Sequence, residues 1–416
     1  MMNCKKQILN ALLDKYEKSK TFKEDVLYAR RIMIKLYDNG DSDFRAYNIE
    51  NAEVKDTYNR AVIALKSDGI VNYEWMKFES DNIIARAWLV IERVADAYAQ
   101  AGRKPKLDSV MEMLAFIEVI SQGVTTKWVS EYYDRVYSSI KKRRSITSAL
   151  PNDVEIAHDV LRAIKMIDGF QNDEILERAF SVKCFGDSKR FERAVKKRVV
   201  GIVRKYCVDD PDGELLDEDV LRQVGIIKGP EIIEFCGSIA ANFNADVVEY
   251  SPLKFGATIN SFDIRNCSVQ VSSVVKKVLF IENKANYTDY VLNHRNNDEV
   301  VIFHGGCYSP IKGLFFKKLY TATNKSNIGF YHWGDIDLGG FSIFCRLKKN
   351  IISELKPYNM GIKDLETYME YQIAINGKYV EKIAQLVSVP ELSDCSETLE
   401  YMIVNKVKLE QEAFIF

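Results

Sequence analysis

Apolar positions recur at helical spacing through the first half of the chain and gather into short continuous runs in the second. In VKDTYNRAVIALKSDGIVNYEW the residues Val54, Tyr58, Val62 and Leu65 share one face, which predicts a helix over about 53–67. It stops at Asp68-Gly69 and is followed by strand residues through Trp75. A helix, a glycine turn and a β-wing outline a winged helix, a DNA-binding variant of helix-turn-helix; a plain helix and hairpin without a ligand fits equally. After the polar stretch 101–109 the helical pattern resumes to about Cys207 and includes YYDRVYSSIKKRRSI at 132–146. Within it, SKRFERAVKKRVVGIVRK sets Phe191, Val195, Val199, Ile202 and Val203 on one stripe and leaves Lys189, Arg193, Lys196 and Lys197 outward. The acidic, turn-rich VDDPDGELLDED at 208–219 reads as a linker. Its Asp210-Pro-Asp212-Gly213 lacks the remaining spacing of an EF-hand loop.

The second half changes period. VLFIE at 278–282, VVIFHGG at 300–306 and IGFYHWGD at 328–335 suit a sheet buried on both faces, and the segments between them are long enough for crossover helices. The expected fold class is therefore multidomain α/β: a helical N-terminal half and a C-terminal Rossmann-like parallel sheet. Ligands of such sheets bind beyond the carboxyl ends of the strands. Glu282 follows the first run, and Asp335 and Asp337 follow the third.

Three carboxylates at one sheet edge repel one another unless a cation joins them. Hard oxygen donors suit Mg²⁺, for which Mn²⁺ can substitute, together with water and phosphate. Gly339 and Gly340 would admit a backbone or phosphate beside it. The competing role for Asp337 is an N-cap of the following helix.

Composition adds little except at one place. The 58 basic and 59 acidic residues nearly cancel, and 47% hydrophobic with 28% charged content is ordinary for a folded soluble chain. Between Ser181 and Lys205, nine Lys or Arg meet two acids, an electrostatic footprint for nucleic acid that includes Lys189, Arg190, Arg193, Lys196 and Lys197. Eight cysteines without a C-x-x-C pair indicate neither zinc nor a disulfide framework. With no apolar run of membrane-spanning length and no signal-peptide pattern, a cytoplasmic protein is expected.

Glu282 after a strand and Asp335-Ile-Asp337 after a later strand resemble the Toprim domain of topoisomerases and related nucleases. FGDSKRFE at 185–192, IENKANY at 281–287, HGGCYSP at 304–310, WGDIDLGGF at 333–341 and LEQEAF at 409–414 are similar to the nuclease subunit of the Wadjet anti-plasmid defence system, a relative of the topoisomerase VI A subunit. The resemblance implies a winged-helix-like region over 1–105, a helical arm with the basic helix over 106–207, the linker over 208–229 and a Toprim nuclease domain over 230–416. It further implies Mg²⁺-dependent cleavage of closed circular, double-stranded plasmid DNA by a homodimer, with Glu282, Asp335 and Asp337 holding metal. An SMC-type ATPase, a kleisin and a winged-helix accessory subunit are the partners it implies.

Rival readings attach to specific residues. Asp263 with Glu282-Asn283-Lys284 fits the loose pattern of restriction-type nucleases, with Lys284 positioning water. Topoisomerase VI relatives attack phosphate with a tyrosine, and Tyr28, Tyr37, Tyr47, Tyr58 and Tyr73 lie near the winged-helix outline. A scaffold with a degenerate Toprim fold would bind DNA without metal. His304, before Gly305-Gly306, is a site candidate against a buried structural role, as are Glu410 and Glu412 against salt bridging.

Overall fold

In the computed structural model, which describes residues 2–24, 30–38, 40–170, 174–208, 215–306, 308–323 and 328–415, the chain separates into two compact units, Met1–Leu161 and Arg162–Phe416. Tyr28, Cys307 and the Asp210–Gly213 turn lie outside the described residues.

The first unit carries helix α1 (Met2–Lys18), strand β1 (Met33–Lys35), helix α2 (Ala52–Ser67), strands β2 (Val71–Trp75) and β3 (Ile84–Leu89), and helices α3 (Val94–Ala101), α4 (Lys106–Ile120) and α5 (Lys127–Arg143). Asn51 starts α2 by accepting the Val54 N–H at 3.1 Å, and Tyr58, Val62 and Leu65 are buried on the face the periodicity predicts. Gly69, at φ +73°, turns the chain into β2, which pairs with β3 in an antiparallel sheet of order β1-β3-β2. A helix followed by a hairpin is thus present where it was expected.

The second unit places helices α6 (Glu177–Phe185) and α7 (Lys196–Tyr206) before strands β4 (Ile232–Cys236), β5 (Ile239–Phe243), β6 (Asp246–Glu249), β7 (Ala257–Asn260) and β8 (Ser268–Val271). Then come β9 (Lys277–Ile281), α8 (Lys284–Asp289), β10 (Glu299–Phe303), α9 (Pro310–Thr323), β11 (Gly329–Trp333), α10 (Leu338–Asn350), β12 (Lys356–Pro357), α11 (Ser396–Asn405) and β13 (Val407–Lys408). The three apolar runs are β9, β10 and β11, and they lie side by side and parallel. Their register brings Ile281 opposite both Phe303 and Trp333, so the three strands end level.

The six-stranded sheet, ordered β12-β11-β9-β10-β4-β7, is nevertheless mixed. β4 runs antiparallel to β10, and β7 antiparallel to β4. The edge strand β7 keeps exposed and half-buried positions that the central strands lack, and β4, between β10 and β7, exposes Ile232 at its start. Val278, Leu279, Phe280, Ile281, Val300, Val301 and Ile302 are completely buried and form the centre of the core with Phe316, Phe341 and Phe344.

Candidate metal centre

The level ends of β9 and β11 are what bring the predicted acids together. Glu282 stands one residue past β9, and its N–H donates to the Trp333 carbonyl at 2.9 Å, extending the strand pairing by one bond. Two residues beyond Trp333 is Asp335. The helix α10 then begins at Asp337, whose Oδ1 accepts the Gly340 N–H at 2.8 Å. Asp337 is therefore an N-cap and a member of the acidic cluster at once; the cap leaves Oδ2, which lies 3.6 Å from the Lys408 ammonium.

Two glycines make this packing possible. A Cβ on Gly340 would overlap the Asp335 carbonyl, and one on Gly334 would overlap Glu282 Oε2 and sit 2.8 Å from His332 Cε1. The Gly340 expectation of close approach is met by backbone. Gly334 was not singled out in the sequence, although it immediately precedes the acids.

Burial raises all three carboxyls, and neighbouring acids add to it. Glu282 is pushed well above the usual carboxylate range, first by burial and then by the charges of Asp335 and Asp337. Asp335 is raised to about 7 by burial and by Asp337. Asp337 is raised by burial, with the Gly340 N–H and Lys408 opposing. Glu282 Oε2 is sealed from solvent and has no hydrogen-bond donor. A buried oxygen in that condition costs free energy unless the carboxyl is protonated or a cation reaches it.

A third element enters from the C-terminus. Ile336 and Leu409 exchange backbone hydrogen bonds of 2.9 and 3.1 Å, which lays residues 408–412 along the Asp335–Asp337 loop. Gln411, fully buried, donates its N–H to Asp335 Oδ1 at 2.6 Å; its side chain accepts the Asn283 N–H at 2.9 Å and donates to the Trp333 carbonyl at 3.2 Å. Glu410 and Glu412 flank it. One oxygen each from Asp335, Glu410 and Glu412 lies within 4.8 Å of the others, a separation a single cation spans. Glu410 also takes the salt bridge expected of it, to Lys408. Gln411, Asn283 and Lys408 were not named as site residues from the sequence, although Asn283 adjoins Glu282 and Gln411 lies between the candidates Glu410 and Glu412.

Other candidates go elsewhere. Lys284 pairs with Glu234 of β4, half-exposed, and reaches over the Tyr287 and Phe303 rings at 5.1 and 4.9 Å. His304 and His332 are completely buried, edge-to-face at 5.5 Å, and burial keeps both neutral, His332 being lowered to about 3. On the basic segment, Lys189, Arg193 and Lys197 are exposed and Arg190 is half-buried. Lys196 instead turns back to Glu177 of α6 at 2.7 Å, with both side chains largely covered. The apolar stripe holds for Phe191, Val195, Val199 and Val203; Val200 takes the buried place expected of Ile202, because residues 191–195 form a wider π-turn that rotates the following helix. Gly339 is half-buried at the first turn of α10. Among the tyrosines near the hairpin, Tyr47 is buried and hydrogen-bonded to Asn59 at 2.8 Å, and Tyr58 is buried against Gln7.

Comparison with known proteins agrees with the resemblance read from these residues. Residues 246–416 match the family described as "Wadjet protein JetD, C-terminal", a span that contains every acid of the cluster. Over 423 aligned residues the chain is 26% identical to "Wadjet protein JetD" of Bacillus cereus (strain Q1), covering 100% of this chain and 99% of that protein. Over its whole length the chain is similar to a Wadjet protein, and its residues 246–416 match the JetD C-terminal family.

Proposed function

We propose that this chain is the nuclease subunit of a Wadjet anti-plasmid complex and cuts double-stranded plasmid DNA at a Toprim site in which Glu282, Asp335 and Asp337 hold Mg²⁺, with Mn²⁺ as a substitute. One observation carries the reading: three carboxyls raised by burial and by neighbouring acids at the level ends of neighbouring parallel strands, Asp337 buried and Glu282 and Asp335 half-buried, one with an oxygen that no donor reaches. Full-length similarity to a Wadjet protein supports the biological setting.

The donor set fits a hard cation, being oxygen throughout, and the partnerless Glu282 Oε2 is the atom such an ion would satisfy. When bound, Mg²⁺ supplies charge neutralisation at the scissile phosphate and an acidified water. The chain's own residues do the positioning. The α10 cap fixes Asp337, the Gln411 N–H orients Asp335, and the Trp333 carbonyl holds the backbone of Glu282. Asp335, raised to about 7, releases its proton as the site loads. Lys189, Arg193 and Lys197, with α2 and its hairpin as a winged-helix-like region, would meet the DNA backbone. A homodimer would bring two such sites to two strands, working in the cytoplasm beside the SMC-type ATPase, kleisin and accessory subunit. No helix among the described residues is long and apolar enough to cross a membrane.

Hydrolysis is our reading over transesterification: of the described tyrosine candidates, Tyr47 and Tyr58 are spent on hydrogen bonds within the fold, and Tyr37 and Tyr73 pack half-buried against its core. The test compares wild type with Asp335→Ala on supercoiled DNA in Mg²⁺ or Mn²⁺, alone and with the other subunits of its complex, products being run with and without protease. Linear product in wild type alone, unaffected by protease, is expected. Ends released only by protease would put a tyrosine in the reaction, and equal cutting by the variant would remove the metal site from it.

A further inference from the structure

We propose that His332 is a positioning residue for the candidate metal centre: its imidazole donates to Glu282 Oε2 and holds that carboxylate in the orientation that receives the ion. The inference deepens the metal-dependent reading above and rests on it for the role of Glu282.

The geometry starts at Gly334. A Cβ there would collide with Glu282 Oε2 and would stand 2.8 Å from His332 Cε1. The carboxyl oxygen and the edge of the imidazole therefore flank the same small space, which a side chain at 334 would fill. Gly334 is itself fixed, its N–H donating to Met360 Sδ at 3.4 Å.

Both sides of that space are sealed. His332 is completely buried, and neither Nδ1 nor Nε2 meets a hydrogen-bond partner among the described residues. A neutral imidazole carries one N–H donor and one acceptor, and leaving them unmet in a core costs free energy. A half-turn about the Cβ–Cγ bond keeps the outline of the ring and exchanges Cε1 for Nε2, which then faces Glu282 Oε2. That setting breaks no hydrogen bond to a described residue. It also completes a pattern. Asp335 and Asp337 are each oriented by a backbone N–H, from Gln411 at 2.6 Å and from Gly340 at 2.8 Å, and His332 supplies a donor at the Glu282 oxygen that has none. A carboxylate oxygen has two lone pairs, so Oε2 keeps one for the ion. Ligating carboxylates that are themselves hydrogen-bonded are held in place for the metal.

The ring is well placed to hold that bond. β11 is paired to β9 through His332 and Phe280, and the His332 carbonyl accepts the Tyr358 N–H at 2.8 Å. The imidazole lies edge-to-face on His304 at 5.5 Å and packs against the Phe344 ring of α10 at 5.9 Å. His304 is the competing partner, but its own ring stacks on Phe316 at 5.4 Å and is drawn to the Gly306 backbone.

The experiment is a calorimetric Mn²⁺ titration of the full chain, wild type against His332→Leu and His332→Gln, with urea unfolding of the metal-free proteins beside it. Leucine keeps the bulk and removes the donor; glutamine keeps a donor at the far end of the side chain. His332→Leu is expected to bind Mn²⁺ about tenfold or more weakly while resisting urea at least as well as wild type, and His332→Gln to recover most of the affinity. His332→Leu binding Mn²⁺ as wild type does would overturn this inference, leaving the ring to pack on His304 and the metal-dependent reading intact. An equal loss in both variants would also overturn it, since shape and not the donor would then matter. No Mn²⁺ bound by wild type would overturn both readings. Should the variants fail to fold, ¹⁵N-histidine spectra decide, because only His304 and His332 among the four histidines are fully buried. A buried imidazole N–H signal that shifts with Mg²⁺ and with Glu282→Gln supports the contact; two buried imidazoles that respond to neither overturn it.

Discussion

Two glutamates of the same sheet, Glu282 and Glu299, show how differently its two ends treat a carboxyl. Glu299 opens β10 at the end of the sheet away from the cluster and is 5% exposed. It pairs with Lys277 at 3.2 Å, accepts the Tyr290 hydroxyl at 3.1 Å and accepts the Asn296 N–H at 3.1 Å. Lys277 also donates to Tyr290 at 2.9 Å. Burial pushes the Glu299 carboxyl up, but the Asn296 N–H and Lys277 outweigh it, and the group ends below the usual carboxylate range. Glu282 receives burial without that compensation: two acids where Glu299 has a lysine, and an oxygen no donor reaches. Burial marks neither residue; the missing partner marks Glu282.

Exchanging each acid for its amide tests the distinction most strongly. Glu282→Gln is expected to cut DNA at least about 100-fold more slowly, since outer partners of a metal already cost 10- to 100-fold, while urea unfolding of the metal-free chain stays level or improves. Glu299→Gln breaks a buried pair and strands Lys277, so a loss of about 3 kcal/mol in the same unfolding experiment is expected with cleavage per folded molecule intact. A Glu299→Gln protein as stable as wild type, or a Glu282→Gln protein that cuts normally, would dissolve the comparison.

Acid titration divides the same two ends by sign. The Glu299 carboxyl is lowered in the folded chain, so its contribution is present above the unfolded pKa and disappears as pH falls through the folded one. Asp335 is raised to about 7, so without metal its contribution is present below the unfolded value near 4 and is lost as pH climbs toward 7. Each proton is worth up to about 1.4 kcal/mol per pH unit within its window. If Asp335 holds metal as proposed, the metal must displace its proton, so Mn²⁺ affinity should fall by about tenfold for each pH unit below about 7. Calorimetry at pH 5.5, 6.5 and 7.5 reads this directly. An affinity flat across that range would mean that Asp335 is already ionised in the free protein.

How much of this was legible in the sequence follows from what each residue answers to. The central strands were readable because β9 and β10 are buried on both faces and β11 nearly so, which keeps the interiors of the runs apolar apart from the buried His332 of β11. From strand ends follow Glu282, Asp335 and Asp337, because a parallel sheet brings carboxyl ends to one edge. The antiparallel strands β4 and β7 were not readable as members of that sheet: a short strand pattern identifies a strand but not its partner. Gln411 was invisible for a different reason. Its work is done through its own N–H, its carbonyl and one amide, none of which has a spacing rule linking it to Asp335 across 76 positions. Lys196 shows the converse, since a charge placed outward by periodicity can still find a carboxylate on a neighbouring helix.

The smallest expected effect is also the one that separates two nuclease schemes. Lys284 follows Glu282 by two residues and would position water in a restriction-type site, which needs its ammonium directed at the acids. Instead it pairs with Glu234, with its side chain 52% exposed and the acid's 30%. A pair that open contributes about 0–1 kcal/mol, so Lys284→Ala should unfold within that margin of wild type and cut within about twofold of it. Loss of cleavage at unchanged metal stoichiometry would show that the lysine turns toward the acids when DNA arrives, and Glu282 would then belong to a different catalytic set from Asp335 and Asp337. Retained cleavage leaves Lys284 with the same standing as Lys277 at the far end of the sheet: a cation spent on pairing with a strand's glutamate, apart from the acids beyond β9 and β11.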